Sequence, residues 1–187
     1  GVGPRDPGGA SGARRTTSGI IDAMQAGWHA GEVHDAFDMG YASLLGLGVP
    51  QNDTRAAEIF GELARRGHGP AFTARGVMAF NGWMPGMPRN RTAASLDWEQ
   101  AVQLSGDVDA LYNLGYLYSR EGEAAEAGQR DLPNRTLSRE YEYALSYFQE
   151  ASDAGHWSAL LKLGEHNAKG LGTPRDCEVG YQATKTF

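Results

Sequence analysis

The chain is poor in three features that define large classes of proteins. Its 187 residues contain a single cysteine, Cys177, so a disulfide framework or a cysteine-ligated metal centre does not hold this fold together. Lys and Arg number 17 against 23 Asp and Glu, and the net charge of −6 argues against nucleic acid or an anionic membrane as a partner. No run approaches the ~18 apolar residues of a bilayer span.

Glycine, by contrast, is abundant, and its spacing reveals an internal repeat. A glycine is followed four residues later by a mostly small residue and nine residues later by a second glycine, in four sets: Gly31/Asp35/Gly40, Gly67/Ala71/Gly76, Gly106/Ala110/Gly115 and Gly155/Ala159/Gly164. The second glycines lie 36, 39 and 49 residues apart. A period of this length, with two helix-length stretches in each unit and no strand-like alternation, predicts an all-α fold, an α-solenoid of stacked helix-turn-helix repeats.

The repeat divides the chain into two parts. Residues 1–19, rich in Gly, Pro and Arg, are expected to be a flexible segment or the remnant loop of a preceding unit. Residues 20–187 form the array, as a partial repeat at 20–31 and repeats at 32–67, 68–106, 107–155 and 156–187. Each repeat is expected to contain a helix A and a helix B, with the A helices on the concave side. Because the chain stops within a predicted helix, we expect it to be part of a longer protein.

The second glycine of each set lies inside a predicted A helix. Glycine in a helix interior costs about 1 kcal/mol relative to alanine, so four in phase indicate a packing requirement. We therefore predict that Gly40, Gly76, Gly115 and Gly164 mark close approaches between helices, beside large residues such as Met39 and Leu114. In repeat 3, residues 121–137 are predicted to form an expanded polar loop.

Three ordered motifs resemble the Sel-1-like repeat. They are Ala110-Leu-Tyr-Asn-Leu-Gly115-Tyr-Leu-Tyr118, Gly46-Leu-Gly-Val-Pro-Gln-Asn52, and the stretch from Ala144 to His156. The resemblance covers almost everything from Ile20 to Phe187 and implies a non-enzymatic scaffold for protein partners. One departure is Arg75, which stands where the repeat usually has Leu.

Within that family, two features resemble the luminal Sel-1L-type adaptor of the ubiquitin ligase of endoplasmic-reticulum-associated degradation. One is Cys177, just after the loop Asp176, since that branch often places a second cysteine some residues further on for a disulfide. The other is a set of three N-x-Thr sequons, at Asn52, Asn90 and Asn134, all in the loop that enters a B helix. The resemblance implies the endoplasmic reticulum lumen, with a ligase subunit, a lectin and misfolded substrates as partners.

The sequons have a second interpretation. Asn and Thr are favoured in turns and at helix N-caps, so their appearance before a helix is also explained by capping alone. On the first interpretation the three asparagines carry N-glycans, and on the second they cap the N-termini of the B helices. Glycan occupancy in a eukaryotic host distinguishes them.

Candidates for catalysis, metal or cofactor binding are few. His68 and His156 occupy the same turn position in two repeats, which indicates a turn or packing role. His166 and Glu165 are interpreted as a surface pair on a helix A without a third ligand at metal spacing. No phosphate-binding or nucleophile-elbow motif is present in the sequence. We therefore expect no enzymatic activity and no cofactor.

Partner contacts are predicted on outward positions of the A helices. Stacked repeats place equivalent positions side by side, so these residues should form one stripe: Asp38, Tyr41, Val77, Asn113, Tyr116, Lys162 and Glu165. Because the last predicted helix is short and carries Val179, Tyr181 and Phe187, we also expect self-association, as a homodimer, through residues 157–187.

Three functions follow from these observations. The first is the luminal degradation adaptor. The second is a generic Sel-1-like scaffold in a cytosolic or bacterial signalling pathway, for which the sequons are accidental. The third is a penicillin-binding repeat protein of the cysteine-rich bacterial branch, which is disfavoured because that branch has a cysteine pair in each repeat and this chain has one cysteine.

Overall fold

The computed structural model describes residues 17–128, 139–178 and Gly180. Eight helices run through these residues, and no strand occurs among them. They are α1 Thr17–Ala30, α2 Val33–Leu45, α3 Asp53–Arg65, α4 Gly69–Asn81, α5 Arg91–Ser105, α6 Val108–Gly128, α7 Arg139–Asp153 and α8 Trp157–Lys169. Each helix packs on the next one along the chain. The all-helical solenoid predicted from the glycine period is therefore confirmed.

The loops after α2, α4 and α8 close in a repeated way. Gly46, Gly82 and Gly170 end α2, α4 and α8 in the left-handed conformation, with φ of 71°, 76° and 69°, which glycine adopts without steric cost. The residue that starts the next helix then donates its backbone N–H to a carbonyl on the preceding A helix. The three bonds are Asn52 N–H to Ser43 at 2.7 Å, Asn90 N–H to Ala79 at 2.9 Å and Asp176 N–H to Asn167 at 2.9 Å.

Three of the interior glycines of the A helices, Gly40, Gly76 and Gly115, lie against aromatic rings of the B helices. A Cβ added at Gly40 would come within 2.5 Å of the Phe60 ring, and one at Gly76 would come within 2.5 Å of the Trp98 indole. At Gly115 the same atom would lie 2.7 Å from Phe148. These approaches explain why glycine occupies the helix interior despite its low helix propensity.

The core runs through the whole stack and is built from equivalent positions of each unit. Between α2 and α3 the core contains Met39, Ile59, Phe60 and Leu63. Trp98 and Leu114 continue it, followed by Phe148 and its neighbours. Each unit shares its apolar face with the next, as expected for a solenoid.

The first eight residues of the predicted loop of repeat 3 are helical. Helix α6 continues to Gly128, so residues 121–128 are helical instead of belonging to a loop that starts after Arg120. Their Glu- and Ala-rich sequence has high helix propensity, and an Arg120–Glu123 ion pair lies along this turn. Gly122 is buried against Tyr141, where an added Cβ would lie 2.8 Å from the ring.

Several predictions concern residues outside the described ranges. These are residues 1–16 of the predicted flexible segment, the glycosylation site Asn134, and the apolar residues Val179, Tyr181 and Phe187 of the last helix. The prediction of a flexible segment as far as residue 19 was wrong for residues 17–19, which form the first turn of α1. A helical turn starts at Asp176, whose carbonyl accepts the Gly180 N–H at 3.2 Å.

Candidate interaction surface

The seven predicted contact residues lie on α2, α4, α6 and α8, and we call the surface that they share the A-helix face. Asp38 is exposed and the other six are half-buried, so all seven are accessible from solvent. The structure divides them into three groups along the stack: Asp38 with Tyr41, Val77 with Asn113 and Tyr116, and Lys162 with Glu165.

The first group lines what we call the N-terminal cleft, a depression of about 470 Å³ between α1 and α2. Its walls are mostly apolar, with the Asp38 carboxylate and the Tyr41 hydroxyl as polar side-chain groups: Ile21, Met24, Asp38, Tyr41, Ala42, Leu47 and Gly48. Burial raises the pKa of the Tyr41 hydroxyl, and the nearby carboxylates of Asp109 and Asp107 raise it further. Tyr41 is therefore a neutral hydrogen-bonding group at physiological pH.

The second group lines the central groove, a depression of about 250 Å³ in the middle of the array. Its residues are Val77, Phe80, Asn81, Trp98, Tyr112, Asn113 and Tyr116. The Phe80 and Tyr116 rings meet edge to face with centroids 6.1 Å apart, and the Asn81 amide donates to the Val77 carbonyl at 2.9 Å. The groove thus combines aromatic surface with amide and hydroxyl groups, a composition suited to binding polypeptide.

Of the seven residues that line the central groove, the sequence predicted Val77, Asn113 and Tyr116. It did not predict the other four, Phe80, Asn81, Trp98 and Tyr112. Tyr112 lies one residue before Asn113 on α6. Phe80 and Asn81 lie one helical turn after Val77, a spacing that places them on the same face of α4. That periodicity was the available signal for them, whereas Trp98 comes from α5 and only the three-dimensional structure brings it to the groove.

The third group forms a compact ion-pair network. Glu165 accepts hydrogen bonds from Lys162 Nζ at 2.8 Å and from Lys169 Nζ at 2.5 Å. These bonds lower the pKa of the Glu165 carboxyl to about 2, and the bond to Glu165 raises the pKa of Lys162. Lys162 and Glu165 therefore neutralise each other, and the network retains one net positive charge from Lys169.

The two histidines at the same turn position, His68 and His156, begin α4 and α8 as N-cap residues. His156 Nδ1 accepts the Ala159 N–H at 3.1 Å, and its Nε2 lies 3.3 Å from Asp109 Oδ1. The imidazole also stacks on Tyr112, with ring centroids 4.5 Å apart. These contacts agree with the packing role predicted for this position.

His166 is buried, and its interpretation as a surface residue was wrong. Its side chain is 2% exposed and meets the rings of Tyr141 and Phe148. The Nδ1 atom lies 2.9 Å from the Lys162 carbonyl and Nε2 lies 3.1 Å from the Ser119 hydroxyl. Because a carbonyl only accepts, we assign the neutral tautomer with the proton on Nδ1 and Ser119 as donor to Nε2. Burial lowers the pKa of His166, in agreement with this assignment.

Two of the three sequon asparagines are helix caps. Asn52 Oδ1 accepts the Arg55 N–H at 2.9 Å, and Asn90 Oδ1 accepts the Ala93 N–H at 2.9 Å. Both residues are exposed. Asp176, at the equivalent place in the last repeat, makes the same loop bond without a sequon, so capping alone explains the residue type there. Cys177 is exposed and not disulfide-bonded.

Neither a metal site nor a membrane span is found in the part of the chain that the structure describes. Within residues 17–128 and 139–178, no group of three His, Cys, Asp or Glu side chains is arranged to hold a metal ion. The helices in these ranges are too short or too polar to cross a bilayer.

Comparison with known proteins defines the family. The Sel1 repeat matches residues 34–68, 108–122, 135–156 and 157–182, just over half of the chain. No curated protein matches the chain.

Two solved structures are similar to it. A Sel1 repeat protein from Oxalobacter formigenes is 20% identical with a TM-score of 0.65, over 91% of this chain and 44% of that one. A protective antigen of uropathogenic Escherichia coli that displays an SLR fold is 21% identical with a TM-score of 0.49, over 88% of this chain and 40% of that one. The chain thus spans less than half of either protein, and the likeness concerns the fold. The chain belongs to the Sel1 repeat family of helical repeat scaffolds.

Proposed function

We propose that this chain is a non-enzymatic scaffold that binds polypeptide partners along its A-helix face. The observation that carries the proposal is the central groove, because Val77, Asn113 and Tyr116 come from two different repeats and line one depression. Aromatic rings there offer contact area at low entropic cost, while Asn113 and the Tyr116 hydroxyl offer hydrogen bonds to a peptide backbone. The neighbouring Lys162–Glu165–Lys169 network adds a charged end.

The experiment compares partner capture by the chain and by matched variants. Asn113→Ala and Tyr116→Ala remove groups from the central groove, and Tyr143→Ala removes an exposed tyrosine from α7, where its side chain is 53% exposed. We expect the first two to reduce the amount of each specific partner recovered by at least about fivefold and Tyr143→Ala to leave it unchanged. Equal recovery by all three variants would show that the groove is not the contact surface.

A second candidate is the luminal adaptor of endoplasmic-reticulum-associated degradation, with a ligase subunit, a lectin and misfolded substrates as partners. The exposure of Asn52 and Asn90 favours it. Their capping bonds use Oδ1, whereas a glycan is attached at Nδ2, so the two roles do not compete for one atom. Removal of N-glycans from the protein made in a eukaryotic cell should then increase its gel mobility. An unchanged mobility would leave the generic scaffold in a cytosolic or bacterial pathway as the better description.

Self-association through residues 157–187 is proposed on separate grounds. Trp157, at the first position of α8, is 62% exposed, and exposed tryptophan is a frequent anchor of protein interfaces. Light scattering at increasing concentration should show a mass rising from 20.1 kDa toward twice that value. The Trp157→Lys variant should remain monomeric, and a monomeric parent chain would contradict the proposal.

A further inference from the structure

Two carboxylates lie at the end of the central groove nearest the start of α6. Asp107 is the residue before α6, and its Oδ1 accepts the Ala110 N–H at 2.9 Å. Asp109 lies in the first turn of α6, four residues before Asn113 and seven before Tyr116, a spacing that places all three on one face of the helix. The Asp109 side chain is 78% exposed, so its charge is accessible beside the groove.

Ring and ion-pair contacts connect Asp109 to the groove wall. Its Oδ1 lies 3.3 Å from His156 Nε2, and the His156 imidazole stacks on Tyr112 with ring centroids 4.5 Å apart. Tyr112 is one of the residues that line the groove. Burial raises the pKa of the Tyr41 hydroxyl on α2, and the carboxylates of Asp109 and Asp107 raise it further, so their negative field extends along the A-helix face as far as α2.

The other charges around this end of the groove do not cancel the two carboxylates. The N-terminus of a helix carries about +0.5 elementary charge, which two carboxylates outweigh. On α8, Lys162 is already paired with Glu165 at 2.8 Å. The end of the groove at the start of α6 is therefore negative, and it complements a cationic side chain.

Described helices bound the groove on both sides. All of its lining residues belong to α4, α5 and α6, which lie in the middle of the array. Gly128, the last described residue of α6, lies about 18 Å beyond Tyr116 along the helix axis, at the opposite end of α6 from Asp109. The acidic end of the groove is thus formed entirely by residues that the structure describes.

We propose that the central groove selects an extended segment of a partner that carries an aromatic or large apolar side chain and, two or three residues from it, a Lys or Arg. The apolar side chain enters the groove and the cation meets Asp107 and Asp109. This inference rests on the proposed function and deepens it, because it states which polypeptide sequence the A-helix face prefers.

The size of the groove and the geometry of α6 give the form of this segment. A volume of about 250 Å³ accommodates one large side chain, not the several that one face of a helix presents. Along the axis of α6, Asp109 lies about 6 Å from Asn113 and about 10 Å from Tyr116. An extended chain rises about 3.3 Å per residue and covers these distances in two or three residues. Its free backbone N–H and C=O groups can bond to the Asn113 amide.

The test is selection of a displayed library of random peptides on the full chain at about pH 8, above the range in which histidines usually titrate. We expect the enriched peptides to combine an aromatic or large apolar residue with Lys or Arg two or three positions away. The best of them, synthesised with a label, should bind the double variant Asp107→Asn with Asp109→Asn about tenfold more weakly and with less salt dependence. Asn is as good an N-cap as Asp, so the start of α6 is retained.

A charge reversal and a matched control sharpen the test. Peptides selected on Asp109→Lys should carry Asp or Glu in place of the basic residue, because the variant reverses the charge that the segment meets. Asp22→Asn, at an exposed carboxylate on α1, should leave the affinity of the best peptide unchanged. Were the double variant to lose helical circular dichroism, Asp109→Lys at its exposed site still decides the question.

The possible failures of this inference and of the proposed function give different results. Peptides that need Tyr116 but show no preference for Lys or Arg, or that bind the double variant as tightly as the parent chain, would overturn this inference alone. No enrichment, or peptides whose binding Asn113→Ala and Tyr116→Ala leave unchanged, would overturn both.

Discussion

The first and second complete repeats share one backbone arrangement and differ in the layer of side chains beside it. The positions compared are the residue just before the helix A glycine and the residue just before the helix B aromatic ring. In α2 and α3 they hold Met39 and Ile59, both fully buried. In α4 and α5 the same positions hold Arg75 and Asp97. Arg75 Nε donates to Asp97 Oδ2 at 2.9 Å, its Nη2 donates to Oδ1, and its guanidinium lies 5.1 Å from the Phe72 ring centroid.

This difference shows which part of the repeat is fixed. In both units a helix A glycine lies against a helix B aromatic ring, Gly40 on Phe60 and Gly76 on Trp98, so the backbones approach in the same way. The neighbouring pair of side chains is apolar in the first repeat, with Met39 and Ile59, and ionic in the second, with Arg75 and Asp97. The second repeat therefore keeps the fold although a charged residue stands where the family usually has Leu.

The largest effect is expected from disrupting the contact between a helix A glycine and a helix B aromatic ring, which both repeats share. Gly40→Ala and Gly76→Ala each place a Cβ within 2.5 Å of a ring atom, so the helices must separate or the ring must move. We expect a loss of about 2–4 kcal/mol in the free energy of unfolding, measured with urea. Gly61→Ala is the control, because nothing lies within 4 Å of its added Cβ and the change should stabilise α3 by up to about 1 kcal/mol. If Gly40→Ala proves as stable as Gly61→Ala, the close approach is not required.

The ion pair provides the second test. Asp97→Asn or Arg75→Met leaves the remaining charge of a largely buried pair without its counter-charge. Each variant should lose about 2–3 kcal/mol in the free energy of unfolding. The double variant Arg75→Met with Asp97→Ile gives the second repeat the side chains of the first and should lie within about 1 kcal/mol of the parent. Additive losses in the double variant would mean that the two layers are not interchangeable.

A smaller effect is expected when the aromatic residue of the second repeat is replaced by that of the first. Trp98→Phe gives α5 the residue that α3 has at Phe60, and removes the bond from Trp98 Nε1 to the Thr73 carbonyl at 3.2 Å. The lost bond and the smaller ring should together cost about 1–2 kcal/mol in the free energy of unfolding. A loss as large as that of Gly76→Ala would indicate that the indole has a further role.

The smallest effect concerns the position two residues after the helix A glycine, which holds Ala42 and Met78 in the first two repeats and His166 in the last. Burial lowers the pKa of His166 in the folded chain, so the unfolded chain binds more protons below its ordinary pKa near 6.5. Stability should therefore decrease as the pH falls from 7 toward 5.

His166→Gln should remove that part of the pH dependence. His68, whose pKa burial also lowers, should retain its own contribution in the variant. Equal slopes of unfolding free energy against pH for the parent and His166→Gln would contradict the assignment of a neutral, buried imidazole.

The sequence predicted the helices well because glycine and apolar residues repeat in phase with the packing. It failed where a contact joins residues that are distant in the chain. Arg75 was recognised as a departure, but its partner Asp97 lies 22 residues away and no local pattern links them. The burial of His166 had a usable signal, since Ala42, Met78 and Leu117 at the same register position are all buried.

The candidate surface was predictable in part for the same reason. Register placed Val77, Asn113 and Tyr116 on one face, and the structure brings them into one groove. Register gave no information on whether charges on that face are already paired, and Lys162 and Glu165 neutralise each other. The C-terminal extension of α6 was missed because a polar, Glu-rich stretch was interpreted as a loop despite its helix propensity.

Site-specific photo-crosslinking tests the central claim, that partners bind along the A-helix face, most directly. A photoreactive amino acid is placed at Val77 or Asn113 in the central groove and, as controls, at the exposed positions Leu96 of α5 and Gln149 of α7. The account predicts that the two groove positions crosslink to the same partner polypeptides and that the two controls give none of these products. Crosslinks from Leu96 or Gln149 with none from Val77 and Asn113 would contradict it.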